Sequence, residues 1–252
     1  MIKELSRQND AKAWWSVLSL LSVLAACIAA AVIWWTPWVI VPAILLIASR
    51  QQACFVLAHD AAHYRLFKGR GLNDFAGRLL ATPAINDETD KARGTNRPAK
   101  DAILHDTTLA LRLAVRRDRW LVVGFHLGAP MIAFATGHLW AYLILWILPL
   151  CTVLQAVLRF RAICEHGAVS DQHSPLLAAQ TNLGPAGIRW YLFPYQVNYH
   201  IEHHLYPAIP HYNLPACHEE LRRRGMLEGA EARHLLSTTR LVSADPAPEA
   251  MR

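Results

Sequence analysis

Ala13 to Ser49 reads AWWSVLSLLSVLAACIAAAVIWWTPWVIVPAILLIAS, without one charged side chain. A helix that crosses the hydrocarbon core of a bilayer needs about 20 predominantly apolar residues, so this stretch holds enough for two. It divides naturally at Trp35-Thr36-Pro37-Trp38, because proline ends helices and tryptophan prefers the membrane interface. A second charge-free stretch, Trp120 to Leu158, is again about twice the length of one span and breaks at Thr136-Gly137-His138. The reading is an all-α integral membrane protein with four transmembrane helices in two hairpins, over about residues 14–35, 39–57, 120–137 and 140–158.

Composition agrees: of 252 residues, 54% are hydrophobic and only 17% charged, and the apolar residues are clustered rather than periodic. The hairpin turns near Thr36 and Gly137 carry no Lys or Arg. The other helix ends are flanked by Lys3, Arg7, Lys12, Arg50, Arg65, Lys68, Arg116, Arg117, Arg119, Arg159 and Arg161. The positive-inside rule then places both termini in the cytoplasm. The net charge of +6 becomes an orientation signal and an attraction to anionic lipid, and it excludes a nucleic-acid partner, since the basic residues flank spans. The first apolar run is too long for a cleavable signal peptide and reads as a membrane anchor. Cys27, Cys54, Cys151, Cys164 and Cys217 include no CxxC pair, so they read as packing residues.

Residues 1–228 form the expected membrane domain. Within it, the polar run Asn86 to Pro98 is expected to be mobile loop, and Ile103 to Arg119 to be a helix at the interface before the third span. Residues 229–252, rich in Ala, Pro and Glu, are expected to be a disordered tail.

The chemistry is carried by His200-Ile201-Glu202-His203-His204. On a helix, residues three and four apart share a face, so His200, His203 and His204 are expected to point three imidazoles at one place. Neutral imidazole is a preferred ligand for iron, zinc, copper and nickel. Upstream, His59-Asp60-Ala61-Ala62-His63 repeats the geometry just past the second span, and His166 follows the fourth. All lie at membrane-surface depth on the cytoplasmic side, which suggests one shared histidine-lined metal site near where an acyl chain could enter. His126 reads as an imidazole hydrogen-bonded to a neighbouring helix. His138 lies at the outer turn, and His105, His173, His211, His218 and His234 read as solvated surface residues.

These segments together resemble the membrane fatty acid desaturase and hydroxylase family, whose members carry three histidine boxes over two membrane hairpins. His59 to His63 looks like the first box, HxxxH. Arg161-Ala162-Ile163-Cys164-Glu165-His166 resembles the segment that supplies one further ligand. Asn198-Tyr199-His200-Ile201-Glu202-His203-His204-Leu205-Tyr206-Pro207 resembles the third box, HxxHH. The resemblance implies a non-haem di-iron centre with His59, His63, His166, His200, His203 and His204 among its ligands. It also implies oxidation of a lipid acyl chain by dioxygen. Asp60, Glu165, Asn198 and Glu202, beside those histidines, are candidates to orient them. No fused haem-binding HPGG segment occurs, so the expected electron donor is a separate ferredoxin, rubredoxin or cytochrome. Arg222, Arg223 and Arg224 are a candidate docking patch for such an acidic carrier.

One part of the pattern is missing. After Leu72 to Pro83, where the family carries a second HxxHH box, the loop offers His105 as its one histidine. The alternative reading is therefore a catalytically inactive relative that binds one metal or none. A membrane metal transporter is a weaker alternative, because the spans lack a line of ionisable residues.

Overall fold

A computed structural model describes residues 1–84, 109–167, 176–235 and 237. The polar run 86–98, His105 and His173 lie outside the described residues, as do residues 236 and 238–252 of the tail. The chain divides into two units: Gln8–Leu154, and Met1–Arg7 together with Gln155–Arg252.

A short helix, α1 (Ile2–Leu5), precedes the first long one. In the unit Gln8–Leu154, α2 (Asp10–Ile33) starts where Asn9 accepts a hydrogen bond from the Lys12 amide at 3.2 Å, a side-chain cap. It stops before Thr36, and α3 (Pro37–Ala62) opens with proline in its first turn, where the missing N–H costs nothing. The break between α2 and α3 therefore falls at Trp35-Thr36-Pro37. Thr136-Gly137-His138 also breaks the chain, and Gly137 takes the left-handed φ of 74° that a side chain would resist.

Helix α3 packs against both α2 and α4 (Arg70–Ala84). Its second half is buried, including Arg50 at 3% exposure and Gln51 and Gln52 at 0%. Arg50 is thus not a flanking surface residue as its charge suggested, because the helix continues to Ala62 and carries it inside the protein. Gln51 donates to the Trp146 carbonyl at 2.9 Å, and the Trp146 indole donates to the Pro83 carbonyl at 3.0 Å. Helix α4 buries Ala76, Gly77, Leu80, Ala81 and Ala84 while exposing Leu72, Phe75 and Leu79. Asn73 fastens its start, exchanging hydrogen bonds with Phe67 N–H and C=O and donating to Gly69 C=O.

From Leu109 on, the expected interfacial helix and third span are one continuous helix, α5 (Leu109–Ala135), while residues 103–108 lie outside the described residues. Arg116, Arg117, Asp118 and Arg119 occupy its first half, so its apolar part, from Trp120, falls short of the roughly 20 residues of a full span. Among the described residues, three segments are long and apolar enough to cross a membrane: Asp10–Ile33, Pro37–Ala62 and Leu139–His166. The last is not uniform. It comprises α6 (Leu139–Ala141), a π-helical stretch Tyr142–Ile147, α7 (Leu148–Cys151) and α8 (Val153–His166). His126 Nδ1 lies 2.7 Å from the Tyr142 hydroxyl, the interhelical bond expected of it.

The other unit is built from β1 (Thr181–Leu183), α9 (Ala186–Leu192), α10 (His200–Leu205), α11 (Leu214–Arg223) and β2 (Ala232–His234). The strands pair in parallel, Thr181 opposite Ala232 and Leu183 opposite His234. Order therefore extends beyond Gly229, where composition suggested a disordered tail: Glu231 and Leu235 are buried around a strand that the ladder holds. Ile209, Leu214, Cys217 and Leu221 form one core, covered by Ile2 and Leu5 of α1, and Asn213 donates to the Leu5 carbonyl at 2.8 Å. Cys164, Phe193 and Leu235 form another. All five cysteines are free, and Cys54, Cys164 and Cys217 are buried.

Candidate metal centre

The third histidine segment folds as the six-residue helix α10. Just before it, Tyr195 and Gln196 take left-handed φ values of 55° and 61°, which turn the chain from α9 into α10. His200 and His204, four residues apart, then share a face, and His166, the last residue of α8, meets them. His200 Nε2 lies 3.0 Å from His166 Nε2 and 3.1 Å from His204 Nε2, and one ligand nitrogen from each of the three lies within 4.8 Å of the others. Nitrogens about 2.1 Å from one metal and about 90° apart are about 3.0 Å from each other, against about 3.4 Å at a tetrahedral angle. The two short separations suit neighbouring positions on an octahedral ion, a geometry that leaves open positions for other ligands. The widest separation, within 4.8 Å, is nearer to the ~4.2 Å of opposite positions than to the ~3.0 Å of neighbouring ones, and must close by about half an ångström for all three to bind at once.

Tautomers fit as well. His166 Nδ1 lies 3.2 Å from the Ala178 carbonyl, an acceptor only, so Nδ1 carries the proton and Nε2 presents its lone pair to the cluster. His200 is buried, and burial above all holds its imidazole well below its ordinary pKa, with the charges of His204, Arg161, His166 and His203 acting in the same direction. His204 is lowered too, by burial first and then by His203 and His166. Neutral imidazoles are what a metal requires, since a protonated ring has no lone pair to give.

The other expected residues divide. His203 is not in the group of three: its ring centroid is 6.2 Å from those of both His200 and His204, because three residues on from His200 the helix has turned past the shared face. His59 and His63 stand together in the unit Gln8–Leu154, rings 4.6 Å apart and edge to face, with Asp60 buried between them in sequence. Glu165 is buried, accepts from Arg161 Nε at 2.6 Å and lies 3.9 Å from His200 Nε2, so it adds negative charge beside the cluster without a hydrogen bond to it. Asn198 is buried and donates to the Asn182 carbonyl at 3.1 Å, while Asn182 donates to the Cys164 carbonyl at 2.8 Å, a backbone tie rather than a contact with histidine. Glu202 points to the opposite side of α10, where Thr181 Oγ1 donates to it at 2.7 Å and His218 Nδ1 lies 2.6 Å away.

His218 and His211 are not solvated surface residues: both are buried, His211 against the Tyr195 ring at 5.2 Å. Spacing could have shown this for His218, which lies beside the buried stripe Leu214, Cys217 and Leu221 of α11. No sequence signal marks Thr181 or Ala178, whose roles depend on chain far away in sequence. Arg222, Arg223 and Arg224 do not form a free basic patch, because Glu219 pairs with Arg222 at 2.7 Å and Glu220 pairs with Arg223 and Arg224.

Comparison with known proteins bears on the family. An omega-6 fatty acid desaturase, chloroplastic, of Brassica napus is 25% identical over 280 residues, covering 87% of this chain and 62% of its own length. The protein of the same description from Spinacia oleracea is 24% identical, at 87% and 61% coverage. An sn-1 oleoyl-lipid 12-desaturase of Synechocystis sp. is 24% identical over 284 residues, at 87% and 78%. The chain thus spans about three fifths of the length of the two plant relatives. The sequence model described as Fatty acid desaturase matches residues 98–234, more than half of the chain, across both His166 and the His200–His204 segment. This chain belongs to the fatty acid desaturase family.

Proposed function

We propose that the protein is a desaturase-like oxidoreductase that acts on a membrane-lipid acyl chain with dioxygen and two electrons from a separate ferredoxin, rubredoxin or cytochrome. The observation that carries this reading is the meeting of His166, His200 and His204, from two helices remote in sequence, with separations that suit an octahedral metal. In this reading these three residues hold iron, and His59, His63 and His203, the remaining members of the histidine boxes, complete the ligand set. Bound iron supplies the oxidising chemistry toward an unactivated methylene. The chain's own residues set the conditions. Ala178 fixes the His166 tautomer, burial keeps the His200 imidazole neutral, and Arg161 offsets the Glu165 charge.

Residues 1–228 act as one membrane domain in this proposal, with α5 as the fourth span and both termini cytoplasmic. Four crossings are required for His63 and His166 to face the same side, since three would leave them on opposite sides. The basic ends of the apolar segments support the same arrangement. The relatives' names make a lipid-bound oleoyl chain the first substrate to test.

A second reading, a family member that binds one metal or none and does not turn over, is favoured by the missing second HxxHH. An alignment 280 residues long that uses 87% of a 252-residue chain also passes over stretches that the relative has and this chain lacks. Metal analysis of the detergent-purified protein, with product analysis after incubation with oleoyl lipid, dioxygen and reduced ferredoxin, separates the two. Two irons per chain and a new double bond establish the oxidoreductase. One metal or none, with unchanged acyl chains, establishes the inactive form.

A further inference from the structure

Glu202 sits between metal-site histidines in sequence yet turns its back on them. On α10, His200 and His204 share one face, and Glu202, two residues from each, lies on the opposite one. There its carboxylate is wholly buried, at 0% exposure, and both oxygens are engaged: Thr181 Oγ1 donates to Oε2 at 2.7 Å, and His218 Nδ1 lies 2.6 Å from Oε1. Thr181 belongs to β1 and His218 to α11, so α10 is gripped from two separate elements. The Thr181 hydroxyl also lies 3.4 Å from the Ile201 amide, in the first turn of α10.

A six-residue helix needs such a grip. It makes too few internal hydrogen bonds to hold itself, and no side chain caps the N-terminus of α10. Its Ile201 is buried, but an apolar contact fixes rotation less sharply than hydrogen bonds to a carboxylate. Rotation is what the cluster depends on, since one residue's turn of the helix carries His200 and His204 about 100° from His166.

We propose that Glu202, Thr181 and His218 form a latch that sets the rotation of α10 and so positions His200 and His204 toward His166; the idea rests on the metal-centre reading above. These three are positioning residues and make no contact with metal or substrate. The latch differs from a plain core contact in what it sets, which is the geometry of the nitrogens rather than the stability of the fold alone.

Cobalt(II) serves as the probe, its visible absorption reporting ligand number and geometry. In full-length protein, Thr181→Val removes the hydroxyl with shape retained, and His218→Leu removes the ring donor. Each is expected to weaken cobalt binding by about 10- to 100-fold and to alter the absorption band. Thr181→Ser and His218→Asn, which keep a donor in place, are expected to restore both. Amide hydrogen exchange over 200–205 in the metal-free protein is expected to rise in the Val and Leu variants only. Should His218→Leu fail to fold, the Thr181 pair alone decides. Wild-type affinity and spectrum in Thr181→Val overturn the latch while leaving the metal centre standing, whereas wild-type protein that binds no cobalt overturns the metal centre itself.

Discussion

The Nε2 atoms of His166 and His200 lie 3.0 Å apart, although one residue ends a long apolar helix and the other opens a short helix 34 positions later. Two neutral imidazoles gain little from facing each other's nitrogen unless one donates or a cation lies between them. With His166 Nδ1 committed to Ala178, its Nε2 can only accept. His166 Nε2 thus takes either the proton of His200 Nε2 or a share in a cation, and a bound metal replaces that proton.

From this follows an order among histidine variants. His166→Ala, His200→Ala and His204→Ala each remove one member of the close group, and each is expected to lower affinity for a first metal by more than tenfold. His203→Ala is expected to cost less, because its ring stands 6.2 Å from both neighbours. Titration of metal-free protein with cobalt(II), read by absorbance, checks the order. Equal losses at all four positions contradict it.

Metal-free protein should lose stability in acid, and the sign follows from the direction of two shifts. His200 and His204 are both held below the ordinary value of 6.5, chiefly by burial. Above that pH neither folded nor unfolded chain protonates them, and they contribute nothing to the pH dependence. As pH falls below it, the unfolded chain takes up protons that the folded chain refuses, so stability declines. The thermal midpoint is expected to drop between about pH 7.5 and 5.5, and His200→Leu to flatten that drop. A midpoint indifferent to His200→Leu over this range counts against the effect.

Much of this was legible in the chain. Charge-free stretches located two hairpin breaks, and helical spacing brought His200 and His204 together, because both follow from local rules that act along a few turns. The cluster's third member, His166, was placed there only by its depth just past the last apolar stretch and by resemblance, since nothing local ties it to α10. Arg50 was misread because charge alone does not tell a helix end from a buried polar belt. Glu202 was singled out as a residue beside the histidines, but its partners Thr181 and His218 were not legible, since they are brought near only by the packing of β1 and α11.

Backbone strain before α10 gives a further test. Tyr195 and Gln196 both occupy left-handed conformations, which cost a side-chain-bearing residue about 1–2 kcal/mol each. Gln196→Gly is expected to raise the thermal midpoint, with a gain of about 1 kcal/mol, since glycine pays no such penalty. Tyr195→Gly should not share that gain, because it also removes the ring contact with His211 at 5.2 Å. Calorimetry of the two variants side by side checks the contrast, and a Gln196→Gly protein less stable than wild type argues that the side chain has a role of its own.

Topology is the prediction on which the shared histidine site depends. Helix α5 carries charge through its first half, and its apolar part is short for a full span, yet four crossings are needed to bring His63 and His166 to one side. Arg116, Arg117 and Arg119 sit at the start of that apolar part, where the positive-inside rule would anchor them in the cytoplasm, and Gly137 at its far end has no basic neighbour. Reporter fusions after Arg70, Gly137 and Arg224 are therefore expected to read cytoplasmic, external and cytoplasmic. If α5 does not cross, Gly137 reads cytoplasmic and Arg224 external. That result places the pair His59 and His63 across the membrane from His166, His200 and His204, and leaves the three-histidine cluster to bind metal alone.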